Sequence, residues 1–406
     1  MSLHNQTVSP VSACVAGGAV SARAGAPAPG AGASLGIYAG NPSPPPSVDP
    51  ETGEVRDAPR DHRTSRAERF ILKGAAGRLL PKDSRTSKCM RWTVPNRTRD
   101  VVYSPKRERA SYQGLQVCAS PWVCPVCSAK ISERRREEVA QAIAGAKASG
   151  LVVFLLTLTF PHGLGDDLGG IVAHALKAYS KLFSGKAGAK LRDRIGLDGT
   201  IRAIEVTHGL ANGFHPHFHV LLFLDPAKSV TPAYVHAQIA PRWQAVCVST
   251  GLPCPSIDYG CRVDGGDKAA AYVAKGSTWG LESEVTKGQS KVAKGAKGRT
   301  PFALLRDYAE GDKQAGALFV QYAQVFQGKR QLVWSNGLKR RMAVVDRSDD
   351  ELANLADDLP TVRLATITDE QWKVIYRRHW ESVVLDVAER SPDQLHQFLD
   401  LLGGPT

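Results

Sequence analysis

The sequence predicts an α+β protein, a central antiparallel sheet layered with helices, and three observations lead to that class. Strand-like runs and helix-periodic segments succeed one another in the middle of the chain in the order β-α-β-β-α-α. Two of those runs, "IRAIEVTH" and "FHPHFHVLLFLD", are joined by the Gly- and Asn-containing turn "HGLANG", a hairpin signal that makes them antiparallel neighbours. Finally, 43% of the 406 residues are apolar, enough to fill the core of such a fold.

Taken in order, residues 1–66 are rich in Ala, Gly, Pro and Ser, as in "GAPAPGAGASLG" and "NPSPPPSVDP". They carry too few large apolar side chains to pack and are expected to form a disordered tail. Residues 67–128 are turn-rich and cysteine-bearing, the composition of a small metal-binding region. The core is expected over 129–340. "SAKISERRREEVAQAIAGAKASG" reads as a helix stopped by Gly150, and "LVVFLLTLTF", apolar on both faces, as a buried strand. "GIVAHALKAYSKLF" repeats apolar Ile171, Ala175, Leu176, Tyr179, Leu182 and Phe183 at helical spacing. After the hairpin, "TPAYVHAQIAPRWQAVCVSTG" is a helix that Pro241 must kink or split. "DKAAAYVAKG" is a third helix, capped by Asp267 and stopped by Gly276. Residues 285–300, with Lys287, Lys291, Lys294, Lys297 and Arg299 among glycines, read as a flexible basic loop. Residues 341–406 turn acidic and helical, most clearly in "TDEQWKVIYRRHWESVVLDVAER".

Lys plus Arg outnumber Asp plus Glu by 52 to 39, a net charge of +13 that favours a polyanionic partner such as nucleic acid or an acidic membrane surface. No run reaches the roughly 20 apolar residues a membrane span needs, and no secretion signal is recognisable, so a cytoplasmic protein is expected. In that reducing compartment the close trio Cys118, Cys124 and Cys127 of "CASPWVCPVC" points to metal rather than to disulfides. The Cys-x2-Cys knuckle suits tetrahedral Zn²⁺, and a closed site requires a fourth ligand.

His215, His217 and His219 occupy alternate positions of the second hairpin strand. His217 and His219 therefore share one face, about 7 Å apart at Cα, while Phe218, Val220 and Leu222 face the core. Two imidazoles on one face can hold one cation. On the partner strand Glu205 sits among Ile201, Ile204 and Val206, a setting in which a carboxylate needs a partner, and it is the candidate third ligand. Tyr272 and Lys275 in "AAAYVAKG" lie three apart and so on one helix face. A tyrosine hydroxyl can attack a phosphodiester when a metal polarises the phosphate and a cation stabilises the developing charge.

Taken in this order, "FLLTLTF", "HPHFHVLL" and "YVAK" resemble the three motifs of the rolling-circle replication initiators of small plasmids, members of the HUH endonuclease superfamily, over roughly residues 85–340. The resemblance implies a nuclease core with an HUH/RRM-like sheet. In it His217 and His219, with Glu205, hold Mg²⁺ or Mn²⁺ on the scissile phosphate of single-stranded or hairpin origin DNA. Tyr272 becomes linked to the 5′ end and leaves a 3′ hydroxyl for a host polymerase, with Lys275 as its electrostatic helper. His215 supports the ligands or touches DNA. Cys89 in "SKCMRW" becomes the fourth zinc ligand, since initiators of this family carry a similar Lys-Cys upstream of the knuckle. One departure stands out. A branch of the family has a water-activating glutamate four residues before the tyrosine, where this chain has Lys268; the nearest acid, Asp267, lies about 140° around the helix from Tyr272. How a round of replication ends is thus left open, and residues 341–406 either recruit a host helicase or close the fold. The competing readings are an HUH transposase or relaxase, and a non-catalytic zinc-containing DNA-binding regulator with structural histidines.

Overall fold

The computed structural model describes residues 47–48, 55–56, 62–228, 230–265, 298–355 and 360–403. The chain divides into two units, Met1–Asp61 and His62–Thr406. In the first, the described residues are two short strands, β1 (Ser47–Val48) and β2 (Val55–Arg56), paired antiparallel. The rest of the expected tail up to Asp61 lies outside the described residues.

The second unit opens with a helix, α1 (His62–Leu79), where the composition suggested a tail and then turns. Gly74 and Gly77 lower its helix propensity, but Phe70, Leu72, Ala75 and Ala76 are buried, so packing outweighs propensity. A one-turn helix α2 (Arg85–Lys88) and the paired strands β3 (Asp100–Ser104) and β4 (Arg109–Gln113) lead to the long helix α3 (Pro125–Ala148). Then come β5 (Val152–Leu158), α4 (Leu168–Leu182), α5 (Gly185–Arg194), and the hairpin of β6 (Leu197–Gly209) and β7 (Gly213–Leu224). Helix α6 (Pro232–Ser249) is a single helical span with Pro241 inside it, so the proline does not split it. Helix α7 (Ile257–Gly260) and strand β8 (Cys261–Asp264) follow, and the expected helix around Tyr272 and most of the basic loop fall outside the described residues.

The antiparallel order is β8-β5-β7-β6-β9, with β9 (Leu332–Trp334) at the far edge, reached through α8 (Pro301–Ala309) and α9 (Lys313–Phe326). One face carries Ile204, Val206, Phe218, Val220, Leu222 and Leu224 into a core shared with α4, α6, α8 and α9. On the opposite face Ala203, Leu221 and Phe223 pack with Val139, Ala142 and Ile143 of α3 and with Leu338, which opens the short helix α10 (Leu338–Arg341). Farther along β7 that face passes to His219, His217 and His215, outside this apolar cluster.

The hairpin turn depends on Gly213. Its φ is +71°, and a Cβ there would stand 3.1 Å from the Leu164 backbone.

A second, three-stranded sheet has the order β10-β3-β4. After α11 (Asp349–Asn354), β10 (Val362–Thr366) pairs with β3, and α12 (Asp369–Arg377), α13 (Glu381–Arg390) and α14 (Leu395–Gly403) pack on the core that holds the cysteines. The C-terminal residues therefore close the fold around the cysteine-bearing region. Lys73 of α1 and Glu381 of α13, both buried, are joined at 3.2 Å.

Candidate metal centres

Hairpin register builds the first centre. Glu205 lies directly opposite His217, Ala203 opposite His219, and across the other side of β7 Thr157 of β5 also lies opposite His219. In-register neighbours on a pleated sheet point to the same face, so one carboxylate and two imidazoles converge there. Nε2 of His217 and of His219 stand 3.5 and 3.8 Å from the same Glu205 oxygen. Glu205 and His219 are buried and His217 is half-buried. Neighbouring donors around a small six-coordinate cation lie about 3 Å apart, so modest inward rotation of these side chains would make one cation site of the three.

The outer nitrogens of the histidines are also held. His217 Nδ1 lies 3.3 Å from the His215 carbonyl, which only accepts, so that nitrogen bears a proton and Nε2 is the atom turned to the cluster. His219 Nδ1 lies 3.2 Å from the Thr157 hydroxyl. His215 stacks on His217 with ring centroids 5.1 Å apart and joins His162 through a 2.5 Å nitrogen–nitrogen hydrogen bond. His162 Nδ1 in turn donates to the Asn212 carbonyl at 2.9 Å. Burial, with His217 and His162 adding to it, depresses the His215 pKa to about 3, so its ring is neutral near pH 7.

Sequence reasoning missed Thr157 and His162. The only hint is their position in "TLTFPHG", in and just after the strand that borders β7. Arg262, also unremarked, lies opposite Thr157 on β8 and completes a row with Thr157, His219 and Ala203 on this face. Its exposed guanidinium bonds to Asp264 at 2.9 Å. Tyr272 and Lys275, like Asp267 and Lys268, lie outside the described residues; β8 ends at Asp264, eight residues before Tyr272.

The second centre brings together Cys89, Cys118, Cys124 and Cys127, all buried. Cys124 caps α3 and Cys127 lies in its first turn, while Cys89 ends α2. Met90 and Ala119, the residues after Cys89 and Cys118, both have left-handed backbone, at φ 53° and 52°, which turns the chain sharply around the cluster. Sulfur separations are 3.5 Å for Cys89–Cys127 and 3.7 Å for Cys118–Cys127 and Cys89–Cys124. A tetrahedron with metal–sulfur bonds of about 2.3 Å has edges of about 3.8 Å, so four thiolates in this arrangement fit one metal ion. Hydrogen bonds from Cys118, Cys124 and Cys89 hold the Cys127 thiol well below its ordinary range, while Cys89 and Cys124 are pushed up.

Residues 110–248 match the replication-protein family. The chain carries a replication-protein domain. That domain contains Glu205, His217, His219 and three of the four clustered cysteines, and it stops short of Tyr272. The chain is 28% identical to "Protein rep" of Streptomyces lividans over 341 residues, covering 65% of this chain and 73% of that one. It is 24% identical to "Protein rep" of Lentilactobacillus hilgardii over 245 residues, covering 58% and 69%. A shorter match, 33% identical over 136 residues, is to the "Neomycin resistance protein" of Streptomyces cyanogenus, covering 27% of this chain and 31% of that protein. No solved structure matches significantly. Among the described residues no helix is long and apolar enough to cross a membrane.

Proposed function

We propose that this protein initiates plasmid rolling-circle replication as a single-tyrosine HUH nuclease, nicking and rejoining one strand of its origin. The observation that carries this reading is the convergence of Glu205, His217 and His219 inside the replication-protein domain, with Nε2 of both histidines turned toward the same carboxylate oxygen. These three residues would hold Mg²⁺ or Mn²⁺, which when bound supplies charge to polarise the scissile phosphate. The Tyr272 hydroxyl attacks phosphorus, losing its proton as the bond to the 3′ oxygen breaks. The product strands are a 5′-phosphotyrosine and a free 3′ hydroxyl for a host polymerase. Lys275, three residues on, offsets the charge that develops on phosphate. Because the phosphotyrosine keeps the phosphodiester bond energy, attack by a 3′ hydroxyl rejoins the strand without a nucleotide cofactor.

Single-stranded or extruded origin DNA is the substrate such chemistry needs, and the +13 charge supports binding it. The cysteine cluster is assigned a structural Zn²⁺. The test is incubation with labelled single-stranded origin DNA and Mn²⁺, followed by a denaturing gel. Wild type is expected to yield a protein-linked 5′ fragment, and both Tyr272→Phe and the His217→Ala, His219→Ala pair to yield none. Retardation on a native gel with no covalent product on any candidate origin would overturn the nuclease reading in favour of a DNA-binding regulator.

A further inference from the structure

The face of the sheet opposite the histidines holds an unpaired buried cation. Arg202 lies on β6, one register step from Ala203 and therefore on the face that bears Ile204 and Phe218. Only 6% of its surface is exposed. Its guanidinium rests against two rings, Tyr179 of α4 at 5.6 Å and Phe218 at 5.5 Å. Those rings offer their π faces, and neither brings a negative charge. Among the described residues no carboxylate pairs with it, and Nη1 is buried without a hydrogen-bond partner. By contrast, buried Lys73, Arg66 and Arg99 each have a carboxylate within 3.2 Å.

Burial depresses the Arg202 pKa, but a guanidinium stays protonated at any pH the protein meets. The charge therefore persists where water is scarce and needs an anion. Two hydroxyls stand beside it. Thr200 is its neighbour on the same face of β6, about 7 Å away at Cα, and the Tyr179 hydroxyl donates to Thr200 Oγ1 at 3.4 Å. Thr200 thereby keeps its own hydroxyl proton to donate elsewhere. Val333 of the short edge strand β9 is the residue opposite Arg202, so only one strand separates the guanidinium from the sheet edge.

We propose that Arg202, with the Thr200 hydroxyl, forms a binding site for a phosphate-type oxyanion on the face of the sheet opposite the Glu205–His217–His219 cluster. The guanidinium fork supplies the charge and the paired donors such a ligand needs, and the tyrosine ring fixes the fork in place. Position on the opposite face makes this site independent of the nicking chemistry; free phosphate, a nucleotide and a DNA phosphate share the chemistry it recognises.

Equilibrium dialysis of the full-length protein against radiolabelled inorganic phosphate at constant ionic strength tests it, with Arg202→Met and Arg202→Lys alongside. One phosphate per wild-type chain is expected, none on Arg202→Met and at least tenfold weaker binding on Arg202→Lys. The melting temperature of wild type should also rise by about 2–4 °C at saturating phosphate, beyond any rise seen in Arg202→Met. Competition by a nucleotide or by an origin oligonucleotide assigns the source of the phosphate. Wild type binding no phosphate, or Arg202→Met binding as much as wild type, would overturn the proposal and leave the guanidinium hydrated by water alone. Arg202→Lys keeps the test decisive if the methionine variant does not fold.

Discussion

Thr157 touches no substrate in any reading of the site, yet its hydroxyl 3.2 Å from His219 Nδ1 governs which imidazole nitrogen is left to bind a cation. Removing such a partner from a ligating histidine costs metal affinity without emptying the site. Thr157→Val keeps the branched shape of the strand residue. It is expected to weaken Mn²⁺ binding by about 10-fold to 100-fold, read by isothermal titration, with little change in melting temperature. Unchanged affinity would show that the hydroxyl plays no part in orienting the ring. Glu205→Gln, nearly isosteric, removes the charge that both imidazoles face and is expected to abolish Mn²⁺ binding in the same assay.

Register, which an element sets as a whole, decides what meets at the site. The alternation of "HPHFH" with "IRAIEVTH" across "HGLANG" was legible in the sequence because it depends on local period and one turn. Gly213 shows what that turn requires. Gly150 and Gly213 both have positive φ, at +79° and +71°, but a Cβ at Gly150 meets nothing within 4 Å whereas one at Gly213 meets the Leu164 backbone. Gly150→Ala is expected to cost about 1 kcal/mol, and Gly213→Val about 2–3 kcal/mol, a loss of several degrees in melting temperature by calorimetry. Equal losses would mean that the close approach carries no energy. What the sequence could not convey was pairing between distant segments. Arg262 reaches the histidine face only because β8 pairs with β5, a century of residues earlier in the chain. If DNA lies along that face, Arg262→Ala should weaken oligonucleotide binding and reduce the slope of log affinity against log salt by about 0.7, the value for one phosphate contact on a single strand. A slope equal to that of wild type in metal-free anisotropy titrations would rule that contact out.

At the scale of the whole molecule, the cysteine-bearing region and the C-terminal helices look separable in sequence, one turn-rich and the other acidic and amphipathic. The structure joins them. β10 completes the sheet of β3 and β4, and Trp372, Ile375, Val384, Leu385 and Leu399 share a core with Cys89, Cys118, Cys124 and Cys127. Arg66 and Arg99 tie the two ends further, to Glu389 and to Asp369. No local pattern announces such an arrangement, because β3 and β10 are separated by the entire central sheet and their contact depends on tertiary packing alone. A metal in the cysteine cluster and the C-terminal helices should therefore stabilise one another. Truncation after Thr361 removes β10 and three helices, leaving one edge of β3 unpaired and the apolar core open. The shortened chain is expected to lose its cysteine-bound metal to a colorimetric chelator at least tenfold faster than the full chain. Conversely, Cys127→Ser should make residues 362–403 sensitive to limited proteolysis although none of them ligates the metal. A truncated chain that holds its metal as firmly as the full one would separate the two regions again, and the shared core would then count for little in stability.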